Sequence, residues 1–220
     1  MASAGRSDGL IYDRVLAELK KVGARGRLLD FGAGTGELAA RLARSGLFNQ
    51  VTAADIANYR HHCHTTEKVD WIYGDLNLPL AVPDSTFDTI IAVEVLEHLE
   101  NPRGVAREWN RLLKPGGWLL ITTPNVESWR SVLSLVFRGH FIAFTAESYP
   151  AHITALTRLD LHRILDETSF SNISVFYSEY GVVPRLTFLS WQRISNGRLS
   201  GVRYSDNVGI VAQKRIEIAS

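Results

Sequence analysis

The sequence predicts an α/β protein: a doubly wound, seven-stranded, mostly parallel sheet with a C-terminal antiparallel hairpin. Three observations carry this. Short apolar runs at residues 28–31, 51–55, 69–73, 87–93 and 118–123 alternate with segments of helical periodicity. The run Phe87-Asp88-Thr89-Ile90-Ile91-Ala92-Val93 is almost continuously apolar, as a central strand covered on both faces requires. Two late runs, Ile173-Ser174-Val175-Phe176-Tyr177 and Val208-Gly209-Ile210-Val211-Ala212, would pair antiparallel and complete the sheet.

The 220 residues, 45% of them hydrophobic, suit one domain spanning 1–220 with a sizeable core. A net charge of +1 supplies no global field for nucleic acid. The first nine residues lack an apolar signal core, and no apolar run reaches membrane-spanning length. One cysteine, Cys63, excludes an internal disulfide framework. A soluble, cytoplasmic protein is expected.

In chain order, Ile11, Val15, Leu16, Leu19 and Val22 share one face of a helix between Asp8 and Gly23 that would lie against the sheet before the first strand. Next comes Leu28-Leu29-Asp30-Phe31-Gly32-Ala33-Gly34-Thr35-Gly36-Glu37-Leu38, which reads as strand, glycine loop and helix. A dinucleotide fingerprint would be G-x-G-x-x-G, but Glu37 occupies the place of its last glycine, and no P-loop lysine is present. Acidic Asp30 and Glu37 repel a polyphosphate and favour a nucleoside ligand that carries positive charge.

The second strand ends at Asp55, at the distance from the loop where a carboxylate can accept from both ribose hydroxyls; an N-cap role is the alternative. His61-His62-Cys63-His64 lacks a second ligand pair at zinc-binding spacing, so no metal is expected. The third strand leads into Gly74-Asp75-Leu76, and Pro79, Pro83 and Asp84 mark the following loop. After the fourth strand, Glu94-Val95-Leu96-Glu97-His98 forms a turn. Asn101 as N-cap and Pro102 as first helical residue open a helix to about Leu113. Lys114-Pro115-Gly116-Gly117 breaks it before the fifth strand, and Pro124-Asn125 ends that strand. Thr157 and Asp160 form a capping-box pattern ahead of Leu159, Leu161, Ile164 and Leu165.

Together the glycine loop, residues 87–98, Arg111-Leu112-Leu113-Lys114-Pro115-Gly116-Gly117 and Thr123-Pro124-Asn125 resemble the class I S-adenosylmethionine-dependent methyltransferases. The resemblance is to the small-molecule branch that includes the quinone-biosynthesis O-methyltransferases, and it covers roughly residues 28–125. It implies a Rossmann-like methyltransferase fold with S-adenosyl-L-methionine as cofactor and S-adenosyl-L-homocysteine as product. It further implies that Asp30, Gly32, Ala33, Gly34, Gly36, Asp55, Ile56, Asp75, Leu76, Val93 and Glu94 bind the cofactor. In this family Asp75 accepts from the adenine amino group and Leu76 offers a backbone N–H to the ring.

A hydroxyl acceptor needs a base, whereas an amine has only to arrive deprotonated. His98 and His152 are the candidates, the alternative being structural roles in which His98 only hydrogen-bonds a backbone group near the cofactor and His152 anchors the lid; Glu97 is a weaker candidate, as an orienting group. Residues 126–158 and 184–204 are expected to be substrate-side lid insertions. Their apolar side chains and flanking arginines suit a hydrophobic or anionic acceptor, peripheral membrane contact or plain lid packing. The main alternatives are a methyltransferase acting on RNA or protein and a cofactor-binding module without catalysis. Against base or glutamine methylation, Glu94-Val95-Leu96-Glu97 stands where an Asn/Asp-Pro-Pro-Tyr/Phe signature would be.

Overall fold

The computed structural model describes residues 9–56 and 68–216. Residues 61–64, the His/Cys cluster, lie outside them. The strands are β1 (Gly26–Phe31), β2 (Phe48–Asp55), β3 (Asp70–Tyr73), β4 (Phe87–Val93), β5 (Leu113–Pro124), β6 (Phe170–Tyr177), β7 (Val182–Val183), β8 (Leu186–Ser190) and β9 (Asn207–Lys214). The helices are α1 (Gly9–Lys21), α2 (Glu37–Arg44), α3 (Pro102–Leu112), α4 (Trp129–Arg138), α5 (Arg158–Glu167) and α6 (Trp191–Ser195).

Seven strands form one sheet in the order β3-β2-β1-β4-β5-β9-β6. All pairings from β3 to β5 are parallel, and β9 runs antiparallel to both β5 and β6. The expected hairpin is thus present as a strand pair, but β9 is inserted between β5 and β6, and residues 178–206 join the two partners. Within that connection β7 and β8 make a separate two-stranded sheet.

Alternation along the central strands divides the core. Leu29, Phe31, Ile90 and Ala92 pack with Val105, Trp109, Leu161 and Leu165 of α3 and α5. Leu28, Ile91, Val93 and Leu120 pack with Val15 and Leu19 of α1 and with Leu38 and Leu42 of α2. Both faces are therefore covered, which explains the continuous apolar character of β4.

The capping signals act as expected. Asn101 accepts from the Gly104 N–H at 2.9 Å ahead of Pro102. Thr157 and Asp160 form a reciprocal capping box at 3.2 and 3.1 Å. One boundary differs: β5 begins at Leu113, so the 114–117 segment lies inside the strand as an irregularity opposite Asp88. Gly116 takes φ +76°, and a Cβ at Gly117 would stand 2.9 Å from the Lys114 carbonyl oxygen. Lys114 Nζ meets Asp88 Oδ1 at 2.8 Å and closes the irregularity.

Candidate cofactor and active site

Where β1 and β4 diverge to different neighbours, their carboxyl ends open a cavity of about 460 Å³. That size suits a small organic ligand. Its wall contains Asp30, Gly32, Ala33, Gly34, Asp55, Ile56, Asp75, Leu76, Val93, Glu94, His98 and His152, all expected from the sequence. Gly36 does not line it; at φ +79° it turns the chain into α2.

The loop after β1 is held by hydrogen bonds. Gly32 and Ala33 donate their N–H groups to the Ala54 carbonyl at 2.8 and 3.0 Å. The Gly34 N–H donates to Asp55 Oδ2 at 2.7 Å, so Asp55 fastens the glycine loop to the end of β2. Gly32 is obligatory: its φ is +85°, and a Cβ there would stand 2.3 Å from Val95 Cγ2.

Carboxyl groups dominate the wall. Asp30 is 2% exposed, and its Oδ2 has no hydrogen-bond partner. Burial, reinforced by the neighbouring Asp55 charge, pushes its carboxyl up to about 7. Glu94, in a left-handed conformation at φ 55°, ends β4. Its carboxylate accepts from Thr122 Oγ1 at 3.0 Å and Asn207 Nδ2 at 2.8 Å, while lost hydration raises its pKa. Glu97, 1% exposed, is raised by burial and then by the Glu94 charge, with Thr123 Oγ1 donating to it at 3.1 Å. With Asp55 and Asp75, five carboxyl groups face the cavity, and no lysine or arginine among the described residues does so. A ligand with net positive charge fits this wall, and a polyphosphate does not.

The two histidines stand together, ring centres 4.8 Å apart. His98 Nδ1 lies 2.6 Å from the Ala151 carbonyl oxygen, and His152 Nδ1 lies 2.7 Å from that of Ala143. A carbonyl oxygen only accepts, so each Nδ1 carries a proton, leaving the lone pair of a neutral ring on Nε2. Desolvation lowers the His98 pKa and favours that neutral ring. The Glu97 carbonyl accepts from the Ile153 and Thr154 N–H groups at 2.9 and 3.0 Å, pinning the segment that carries His152. Ligand atoms of Glu97, His98 and His152 all lie within 4.8 Å of one another, close enough to share one metal ion.

Sequence reasoning did not place Ile11, Leu38, Asn77, Val95 or Leu99 at the cavity, although all five line it. Asn77 carried no motif; its Oδ1 accepts from the Glu100 N–H at 2.9 Å and joins two loops of the rim. Of residues 126–158 and 184–204, only His152 reaches the wall.

A doubly wound sheet, a glycine loop and an acidic crevice at the strand ends define a Rossmann-like protein with a nucleoside-type cofactor site. A family profile described as a methyltransferase domain matches residues 6–175, and the chain belongs to that family. It is 37% identical over 119 residues to the ubiquinone biosynthesis O-methyltransferase of Xanthomonas oryzae pv. oryzae (strain PXO99A), covering 51% of this chain and 48% of the relative. The chain thus spans about half the length of that relative. The enzyme of the same name from Idiomarina loihiensis is 26% identical over 157 residues, 68% of this chain and 63% of that one. Among solved structures, a SAM-dependent methyltransferase from Thermotoga maritima superposes with a TM-score of 0.67 at 17% identity, covering 94% of this chain and 90% of the other. The expectations of a Rossmann-like methyltransferase fold and of S-adenosylmethionine as cofactor agree with family and fold.

Proposed function

We propose that this protein transfers the methyl group of S-adenosylmethionine to a hydroxyl group of a small molecule. The observation that carries the reading is the pair of imidazoles in the wall of the acidic cavity, each held through Nδ1 with Nε2 left to accept a proton. The names of the curated relatives support the hydroxyl acceptor. When bound, the cofactor supplies a sulfonium methyl group open to in-line displacement.

The chain's own residues bind, orient and deprotonate. Gly32, Ala33 and Gly34 let the backbone approach the ligand, Asp55 accepts from the ribose hydroxyls, and Asp75 with Leu76 meets the base. Ile56, Val93 and Glu94 complete the wall, and Asp30 places negative charge near the cationic centre. His98 or His152 takes the acceptor proton on Nε2, and fixing the acceptor in line supplies most of the remaining rate. Residues 126–158 cover the acceptor side by delivering His152. Residues 184–204 brace that cover: the Arg203 guanidinium stands 5.3 Å over the Trp129 ring, and Arg203 Nη1 donates to the Glu127 carbonyl at 2.7 Å. No described helix is long and apolar enough to cross a membrane; the single cysteine supports a cytoplasmic setting.

The test incubates the protein and a cell extract with methyl-labelled S-adenosylmethionine. Label in solvent-extractable or small polar products supports the reading, whereas label in RNA or protein replaces it with the macromolecular alternative. With the acceptor in hand, His98→Ala and His152→Ala should each leave cofactor affinity near normal, and loss of the base should lower kcat by about 10²–10⁴-fold. Full activity in one variant removes that histidine from the chemistry. Because desolvation lowers the His98 pKa, the rising limb of kcat in the wild type should be centred below pH 6.5 if His98 is the base. A limb centred well above that value would exclude it.

A further inference from the structure

The turn after β3 carries Asp75, Leu76 and Asn77 into the cavity wall, and Asp75 and Asn77 are both exposed at its rim. An exposed carboxylate samples several rotamers unless something holds it. Here Asn77 does so twice: its backbone N–H donates to Asp75 Oδ1 at 2.9 Å, and its side-chain Nδ2 donates to the same oxygen at 3.1 Å. The Leu78 N–H closes the turn on the Asp75 carbonyl at 3.0 Å. Among the described residues no hydrogen bond reaches Asp75 Oδ2, so that oxygen is left for a ligand. The other end of the Asn77 amide is fixed as well. Its Oδ1 accepts from the Glu100 N–H at 2.9 Å, one residue before Asn101 caps α3. A backbone N–H only donates and a carboxylate only accepts, so this orientation of the amide is the one that satisfies both neighbours. Alanine at this position would serve neither neighbour through its side chain, and aspartate would serve Glu100 alone.

We propose that Asn77 is a positioning residue for purine selectivity: it ties the Asp75 carboxylate to the start of α3, so that Oδ2 stands ready to accept from the exocyclic amino group of the cofactor's base. The inference rests on the proposed cofactor and on Asp75 meeting its base. A carboxylate held before the ligand arrives gives up no rotamer freedom on binding, and preorganisation of this kind appears as affinity and selectivity. Asn77 occupies one oxygen of Asp75 and leaves the other, so its effect falls on that one amino group. A purine with hydrogen in that place offers Oδ2 nothing to accept, and gains nothing from the Asn77 contacts.

The experiment titrates the full chain with S-adenosylhomocysteine and with its analogue in which hydrogen replaces the purine amino group. The wild type should prefer the amino form by about tenfold or more, the factor that a hydrogen bond to a charged group supplies. Asp75→Ala should bring the ratio of the two Kd values close to one. Asn77→Ala should lower the ratio to about threefold or less while affinity for the analogue stays near that of the wild type, a pattern that a merely structural role would not give. Asn77→Asp keeps the acceptor for Glu100 but sets a second carboxylate against Asp75, and should discriminate no better than Asn77→Ala. Combining Asn77→Ala with Asp75→Ala should lose no more selectivity than Asp75→Ala alone, because the first residue acts through the second. Equal weakening of both ligands, wild-type selectivity in either Asn77 variant, or losses that multiply in the double variant would overturn the positioning role. Unchanged selectivity in Asp75→Ala would overturn the placement of the purine on Asp75 and the role of Asn77 with it. Failure of the wild type to bind S-adenosylhomocysteine would overturn the proposed function itself.

Discussion

At Asp30 binding and folding make opposite demands. The folded carboxyl keeps its proton to about pH 7, whereas an unfolded one releases it near 3.8. Between those values the folded state binds more protons, so this residue's contribution to stability falls as pH rises from about 4 to 7 and stays low above. Asp30→Asn should therefore raise the thermal midpoint relative to the wild type at pH 8, by a stability difference on the order of 2–4 kcal/mol. The gap should shrink toward zero near pH 4, and a pH-independent difference would contradict the assignment. The same variant should bind S-adenosylmethionine more weakly. Asp55→Ala removes a carboxylate that accepts from Gly34 at 2.7 Å, and should cost roughly 1.5–3 kcal/mol of cofactor affinity in a titration. The positions of Asp30 and Asp55 were legible because each closes an apolar run beside the loop. The Asp55–Gly34 bond was not, since it depends on how two strand ends meet in space. Nor was the closeness of His98 and His152, which are 54 residues apart in sequence and are joined by the Glu97 carbonyl, a backbone group with no sequence signature.

Elements defined by local chemistry were the most legible. Caps at Asn101 and Thr157 satisfy helix N–H groups through the side chains nearest them, and Thr157→Ala should cost about 1 kcal/mol in denaturant unfolding. The glycine loop is sharper. Gly32→Ala meets both a positive φ and the Val95 side chain, so a loss of about 2–4 kcal/mol is expected. Combining it with Val95→Ala should relieve the steric part, giving a favourable coupling energy in a double-mutant cycle; strictly additive losses would place the strain in the backbone alone. The 114–117 segment shows where local reading stops. Its proline and glycines signal a break, and the helix does end there. The edge of β4 still recruits the segment into β5, with Lys114 on Asp88 fixing the irregular register.

Across the whole molecule, the strand runs and their helical connections point to a doubly wound sheet, but the order of the last strands is a long-range property. The pairing of 173–177 with 208–212 does not by itself say which of the two lies beside β5. What selects residues 207–214 for the inner position is their apolar character: Val208, Ile210, Val211 and Ala212 are all at most 2% exposed and face both helical layers. β9 also reaches the site, since Asn207 Nδ2 donates to Glu94 in the cavity wall. A chain ending at Ser205 would therefore lose more than its final strand. The β5 edge and the inner face of β6 would be left unpaired, and Glu94 would lose one of its two hydrogen bonds. This truncation should abolish a cooperative thermal transition and promote aggregation. Asn207→Ala in the intact chain should instead keep the transition and perturb only the site, raising the Glu94 pKa further as a stabilising donor is removed. A cooperative unfolding transition in the truncated chain would show that β9 adds to a finished sheet instead of completing it.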